Sequence, residues 1–104
     1  MTITIQYFTG CPHWKLADER VRRVVRQLAR TDVNVEYELI DSPEAADHAH
    51  FRGSPTILID GHDPFAGQDQ AFGLSCRVYE TEAGAQGAPS EAQLRRQLAR
   101  DLPA

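Results

Sequence analysis

The feature that most limits how this chain can fold is a change of hydrophobic period near its start. Residues 2–8, TITIQYF, alternate in polarity and are rich in β-branched and aromatic side chains, which predicts a β-strand. Over residues 12–30 the apolar side chains recur at helical spacing, and over residues 33–41 they alternate again. A strand, a helix and a strand in this order predict two parallel strands joined by a right-handed crossover.

The second half of the chain predicts another helix and two further strands. Residues 42–51 fit a short helix, and residues 56–60, TILID, fit a compact buried strand. The next stretch, residues 61–73, carries three Gly and one Pro and predicts a loop. Residues 74–79 predict a fourth strand that pairs with residues 56–60 as a hairpin. Its core-facing side chains are expected to be Leu74, Cys76 and Val78.

The C-terminal part predicts a last helix. Residues 82–89 are expected to form a flexible connection, after which Ser90 and Gln93 have the spacing of a capping box. The apolar face of the helix that follows would be formed by Leu94, Leu98 and Leu102. Over one domain of residues 1–104, the order β-α-β-α-β-β-α predicts an α/β fold with a four-stranded mixed sheet flanked by helices. This is a thioredoxin-like architecture.

Composition limits the classes of partner and compartment. The formal net charge is −4, which argues against a nucleic-acid partner because phosphate recognition favours a basic surface. No segment has the length of a membrane span, and the N-terminus lacks the build of a signal peptide, so we expect a cytoplasmic protein without a membrane partner. In a reducing compartment its two cysteines are expected to be reactive, metal-binding or buried rather than a disulfide framework.

The candidate nucleophile is Cys11, between the first strand and the first helix in the sequence YFTGCPHW. Pro12 suits the first helical position, which would place Cys11 at the N-cap. There the unpaired amides and the helix dipole favour a thiolate, so we expect the pKa of this thiol to fall from about 8.5 to about 7 or below. Trp14 holds the position where redox proteins usually carry a second cysteine. An inert cysteine buried at the end of the strand is the other interpretation.

Ser54 and Pro55 are candidate substrate-binding residues because they directly precede the strand at residues 56–60. A thioredoxin-like fold carries a cis-proline at this place, beside its active thiol. A cis Ser54–Pro55 bond would leave the backbone groups of Ser54 free to pair with an extended substrate chain, and a trans-proline that begins a strand is the ordinary alternative. Arg52 either attracts an anionic thiol compound or is a surface charge.

Cys76 has two open interpretations. Its place on the predicted apolar face fits a buried cysteine that packs as a small hydrophobe. Alternatively, it resolves a disulfide formed on Cys11, or shares a metal ion with it, in place of the thiol missing at Trp14. A disulfide would require the two Cα atoms to lie within about 6 Å, which the sequence does not settle.

The remaining potential ligands do not have the spacing of a metal site. Zinc sites usually need three or four ligands at defined separations, and the sequence DHAH offers a short pair on one helix. We therefore expect Asp47, His48, His50, His62 and Asp63 to be solvated, with no metal ion and no cofactor.

Three stretches, YFTGCPHW, FRGSPTILIDG and GLSCRVY, together resemble a small, largely uncharacterised bacterial thioredoxin-like family. In that family a Cys-Pro begins the first helix with an aromatic residue at the fourth position. A Ser-Pro-Thr precedes the third strand, and a Cys-Arg-x-Tyr lies in the fourth. Some members are labelled alkylmercury lyase-like. The resemblance covers nearly the whole chain and implies thiol chemistry at Cys11 and Cys76.

The sequence therefore predicts a thiol–disulfide redox protein, similar to a monothiol oxidoreductase, in which Cys11 attacks and Cys76 or an external thiol resolves. The residues expected around the substrate are Pro12, Trp14, Ser54, Pro55 and Arg52. The expected partner is a protein disulfide or a low-molecular-weight thiol. Two alternatives remain: the two thiolates bind a soft metal ion or an organomercurial, or the domain is a non-catalytic interaction module.

Overall fold

The computed structural model of the chain describes residues 1–65 and 72–100. Within these residues, five strands and three helices follow one another in a single order. They are β1 Thr2–Tyr7, α1 Trp14–Gln27, β2 Asn34–Leu39, α2 Pro43–His48, β3 Thr56–Ile59, β4 Tyr79–Thr81, β5 Gly84–Gln86 and α3 Glu91–Arg100. None of the described helices is long and apolar enough to cross a bilayer. The chain is thus a small mixed α/β protein.

The first half forms a three-stranded mixed sheet in the order β2-β1-β3. β1 lies between a parallel partner and an antiparallel one, with Ile5 opposite Tyr37 on β2 and opposite Ile57 on β3. The predicted parallel β1-α1-β2 unit is therefore confirmed. β2 forms one edge of this sheet, and its side chains are mostly exposed.

The structure does not show the predicted four-stranded sheet. Residues 74–78 make one isolated parallel bridge, between Ser54 and Cys76, instead of a hairpin with β3. The backbone of Ile59 in β3 is already paired with His62, with N–H···O distances of 2.7 and 3.0 Å in the two directions. Because the loop after β3 turns back onto that strand, it uses hydrogen-bonding groups that a fourth strand would need.

The fourth strand is instead displaced along the chain and forms its own hairpin. β4 begins at Tyr79 and pairs antiparallel with β5, so the predicted flexible connection over residues 82–89 contains a strand. Gly84 has a φ of +100°, which allows the tight reversal between the two strands. This two-stranded sheet is separate from the β2-β1-β3 sheet.

The larger of two hydrophobic clusters in the described residues lies between the sheet, α1 and α3. Its members are Ile3, Ile5, Ala17, Val21, Val24, Ile57, Ile59, Ala88, Leu94 and Leu98. The predicted apolar faces of β1, α1 and the last helix supply most of them. Leu102, the third leucine predicted for the last helix, lies outside the described residues.

Polar contacts fix how α3 begins. The predicted capping box is confirmed: the Gln93 N–H donates to Ser90 Oγ at 3.1 Å, and the Ser90 N–H donates to Gln93 Oε1 at 2.9 Å. The guanidinium of Arg20 on α1 donates to the carbonyl oxygens of Ala88 and Pro89 at 3.4 and 3.0 Å. These bonds connect α1 to the segment that leads into α3.

Truncation of a core leucine tests this packing. We expect Leu94→Ala to lower the free energy of unfolding by about 2–5 kcal/mol, because Leu94 is 1% exposed and its loss leaves a cavity. Leu39→Ala is the matched control, since Leu39 is 46% exposed on β2 and should change stability by about 0.5 kcal/mol or less. Urea unfolding followed by circular dichroism measures both; equal losses would contradict the packing of α3.

Candidate functional site

The two cysteines are joined in a disulfide across a sequence separation of 65 residues. Their Cα atoms lie 5.8 Å apart, so the disulfide left open by the sequence is the arrangement found here. The two residues differ in access to solvent: Cys11 is 0% exposed, whereas Cys76 is exposed. Cys11 follows β1 and is held by its own N–H, which donates to Phe8 O at 3.2 Å.

The predicted position of Cys11 at the N-cap of α1 is wrong by two residues. α1 begins at Trp14 with His13 as its N-cap, so Cys11 and Pro12 precede the helix. The reason is a turn before the helix, in which the Lys15 N–H donates to Pro12 O at 3.3 Å. The first-turn amides of α1 would therefore have to stabilise a thiolate that lies two residues before the N-cap. The low pKa expected for Cys11 stays a prediction.

Ser54, which directly precedes Pro55, lies beside Cys11. Ser54 is 0% exposed, and its carbonyl oxygen is 3.5 Å from Cys11 Sγ. The hydroxyl oxygen of Ser54 accepts a hydrogen bond from the Phe8 N–H at 3.4 Å, which connects the end of β1 to the start of β3. The Ser54–Pro55 peptide bond is cis. A carbonyl oxygen thus lies next to the buried sulfur.

The backbone groups of Ser54 are not free, in contrast to the expectation for a substrate site. The Ser54 N–H donates to Ser75 O at 2.7 Å, and Ser54 O accepts from the Arg77 N–H at 2.9 Å. The chain therefore pairs residues 75–77 with Ser54 in the manner of a short parallel strand, with Cys76 between the two hydrogen bonds. A substrate chain would have to displace this segment.

Gly53 makes this close approach possible. A Cβ atom at residue 53 would lie 3.0 Å from Ser75 O and 3.2 Å from the Arg77 backbone nitrogen. Gly53 also has a φ of +115°, in the region that side chains disfavour. Both constraints follow from packing the backbone of residues 75–77 against the residue before Ser54.

Arg77 anchors the far side of this segment through a buried ion pair that the sequence analysis did not identify. Its guanidinium donates to Asp63 Oδ2 at 2.8 Å, and the two side chains are 1% and 7% exposed. The same guanidinium donates to Phe65 O at 2.6 Å and to Thr56 Oγ1 at 3.3 Å. The prediction that Asp63 is solvated is therefore wrong, because Asp63 balances a buried charge.

Tyr79 completes the anchor. It is 5% exposed, and its hydroxyl donates to Pro55 O at 2.5 Å. The Arg77 guanidinium lies over the Tyr79 ring, 4.6 Å from its centroid. Burial raises the pKa of Tyr79 well above its ordinary value, and the guanidinium of Arg77 opposes that shift.

The predicted alternation of residues 74–79 exists, but its two faces are exchanged. Cys76 is exposed, and its neighbours Leu74 and Val78 are 38% and 59% exposed, although all three were predicted to face the core. Arg77 and Tyr79 are the buried side chains instead. The hydropathy of residues 74–79 favoured the face of Cys76 as the buried one, because hydropathy cannot show that Arg77 has buried hydrogen-bond acceptors. The available signal was the Cys-Arg-x-Tyr motif, in which Arg and Tyr share one face.

The other predicted site residues are not all gathered at the disulfide. Pro12 is exposed. Trp14 stacks on Tyr7, with ring centroids 4.4 Å apart, so this position is occupied by packing against the sheet. Arg52 is half-buried, and its guanidinium lies 5.1 Å from the centroid of the Phe72 ring.

A cavity of about 190 Å³ lies beside Arg52. Among the residues that line it are Ala49, His50, Thr56, His62 and Asp63. Arg52 is therefore placed two residues from Ser54 and next to a space with several polar side chains. No group of three or more His, Cys, Asp or Glu side chains suited to a metal ion occurs in the described part of the chain.

Comparison with known protein families, with curated proteins and with solved structures finds no match.

Removal of the carboxylate of Asp63 tests the buried ion pair. We expect Asp63→Asn to lower the free energy of unfolding by about 3–5 kcal/mol, because it leaves the guanidinium of Arg77 buried without its counter-charge. Glu19→Gln is the matched control: its pair with Arg23 is 3.7 Å long and largely exposed, and should contribute about 0.5 kcal/mol or less. Urea unfolding of the oxidised proteins measures both, and equal midpoints would contradict a structural role for Asp63.

The Tyr79 hydroxyl gives a pH-dependent contribution. Its pKa in the folded state is raised above the unfolded value of about 10, so folded protein keeps this proton longer and stability falls as pH rises above about 10. We expect Tyr79→Phe to cost about 1 kcal/mol at neutral pH through the lost bond to Pro55 O. The variant should also show a smaller alkaline loss than the wild type in urea unfolding; identical losses would contradict the burial of this phenol.

Proposed function

We propose that this chain is a thiol–disulfide oxidoreductase whose redox couple is Cys11 and Cys76, carried on a thioredoxin-like scaffold. The observation that carries the proposal is the pairing of the two cysteines at a Cα–Cα distance of 5.8 Å, with Ser54 O beside the buried sulfur. The order β1-α1-β2-α2-β3, with Cys11 before α1 and Ser54-Pro55 before β3, supports the thioredoxin-like assignment. The resemblance of the three sequence motifs to that family supports it further.

The proposed reaction is a two-electron exchange between this couple and an external disulfide. In the reductive direction, Cys11 and Cys76 thiols together lose two electrons and two protons and form their mutual disulfide. The substrate disulfide gains both and becomes two thiols. The predicted order has Cys11 attack first and Cys76 resolve, and the overall stoichiometry is the same for either order.

The fixed position of Cys76 replaces the second cysteine of a Cys-x-x-Cys motif. The Ser54 N–H donates to Ser75 O and Ser54 O accepts from the Arg77 N–H, which holds the residues on both sides of Cys76, so the two sulfurs meet without a search through chain conformations. This pre-positioning favours rapid closure of the intramolecular disulfide over accumulation of a mixed disulfide. A chain that lacks a cysteine at residue 14 can therefore act as a dithiol protein.

The proposed partner is a protein disulfide or a low-molecular-weight thiol. Arg52 supports an anionic partner, because its charge lies two residues from Ser54 and beside a cavity of about 190 Å³. A free carboxylate of a small thiol peptide has the size and charge for this space. Pro12 and Trp14 remain predicted substrate contacts through the family resemblance.

Thiol counting before and after oxidation tests the proposed couple. We expect the reduced wild type to hold two reactive thiols, and mild oxidation with glutathione disulfide to remove both and form the Cys11–Cys76 link, found by mass spectrometry of a tryptic digest. Of the single variants Cys11→Ser and Cys76→Ser, the one that keeps the attacking cysteine should instead accumulate a mixed disulfide with glutathione, because its resolving thiol is missing. A wild type that forms only a sulfenic acid or a stable mixed disulfide would contradict a dithiol mechanism.

A further inference from the structure

The two sulfurs of the couple are not equally accessible to a molecule in solution. Cys11 is 0% exposed, whereas Cys76 lies on an exposed face between Leu74 and Val78, which are also exposed. Thiol–disulfide exchange requires access to the sulfur under attack, so this difference affects which cysteine meets the substrate.

The geometry of displacement adds to this difference in access. An attacking thiolate approaches a disulfide sulfur in line with the S–S bond, from the side opposite the leaving sulfur. Attack on Cys11 needs an open path to its sulfur, but Cys11 is 0% exposed and Ser54 O lies 3.5 Å from that sulfur. Attack on Cys76 is less restricted, because this residue is exposed to solvent.

Residues 73–77, the segment that carries Cys76 over Cys11, are held in place without the disulfide. Residues 73–77 are held by three backbone hydrogen bonds: Gly73 N–H to Phe51 O at 2.9 Å, Ser54 N–H to Ser75 O at 2.7 Å and Arg77 N–H to Ser54 O at 2.9 Å. The buried Arg77–Asp63 pair adds a fourth attachment. Reduction removes none of these contacts, so the segment stays in place over the Cys11 thiol.

We infer that Cys76, rather than Cys11, is the sulfur that exchanges with the substrate, and that Cys11 is the resolving thiol. This inference rests on the proposed function and reverses the order predicted from the sequence. It assigns Cys76 as the catalytic residue that contacts the substrate, and Cys11 as the internal partner that closes the cycle.

The steps balance as two successive displacements. The Cys76 thiolate attacks one sulfur of an external disulfide, which forms a Cys76–substrate disulfide and releases the first substrate thiolate. The Cys11 thiol then loses its proton to solvent, and its sulfur attacks Cys76 Sγ in line. This forms the Cys11–Cys76 disulfide and releases the second substrate thiolate. Two electrons pass from the couple to the substrate, and each released thiolate takes up a proton.

Pulse alkylation of the reduced wild type tests the assignment. We expect iodoacetamide to label Cys76 at least about tenfold faster than Cys11 in the native protein, and the ratio to fall towards one in urea, where access is equal. Peptide mapping by mass spectrometry measures both rates. Faster native labelling of Cys11 would overturn the inference but leave the dithiol couple intact, whereas failure of the couple to close on oxidation would overturn the proposed function itself.

A pair of glycine variants tests the cover separately. Gly53→Ala crowds residues 75–77, because the new Cβ would lie 3.0 Å from Ser75 O and the backbone there would have to shift by a few tenths of an ångström. Gly61→Ala introduces a side chain at a similarly positive φ of +84°, where no atom lies within 4 Å, so it controls for backbone strain alone. We expect labelling of Cys11 to rise several-fold in Gly53→Ala and to stay at the wild-type rate in Gly61→Ala. An equal Cys11 rate in both would contradict the covering role of this segment.

Discussion

Two hydrogen bonds from the backbone of Ser54 determine how the candidate site is built. They hold Ser75 and Arg77 on either side of Cys76, and the carbonyl oxygen that accepts one of them also lies beside Cys11 Sγ. Ser54 has no exposed surface, so both backbone groups need partners inside the protein. Residues 75–77 supply those partners, and the position of Cys76 over Cys11 follows from that pairing. The same main-chain groups that could receive an extended substrate are used by the protein's own segment.

The buried charge of Arg77 serves placement more than stability. Removal of an ion pair from water has a desolvation cost that its attraction recovers only with good geometry and further hydrogen bonds. Arg77 has such partners in Asp63, Thr56 and the carbonyl oxygen of Phe65. They fix which face of residues 74–79 points inward, and a register in which Cys76 faces the core would bury Val78 and expose this charge. The ion pair thereby fixes the register in which Cys76 is bonded to Cys11 and is also exposed to solvent.

The sequence predicted the elements that depend on local pattern and missed those that depend on distant partners. The periodicity of residues 2–39 was sufficient for β1, α1 and β2, and the capping box was sufficient for the start of α3. The fourth strand was misplaced because His62 turns back onto Ile59, a turn for which Asp60-Gly61 was the available local signal. In the site, Cys11 and Ser54 were found from their places before α1 and β3. The partnership of Asp63 with Arg77 depends on residues 14 positions apart and was not visible.

The aromatic residue at position 14 explains why the second sulfur comes from so far along the chain. Trp14 stacks on Tyr7 and meets Tyr37 edge-on at 6.3 Å, so the first turn of α1 packs against β1 and β2. A cysteine there would give up this aromatic packing, which is worth about 0.5–1.5 kcal/mol for each pair beyond the buried area. The second sulfur of the disulfide lies at a separation of 65 residues instead, and closing so long a loop contributes on the order of 4 kcal/mol in the chain-entropy model. The Cys11–Cys76 disulfide therefore stabilises the whole fold, whereas the short loop of a Cys-x-x-Cys motif would do so far less. The reduced protein lacks this stabilisation by the disulfide. There the contacts of Ser54 and Arg77 keep Cys76 in place.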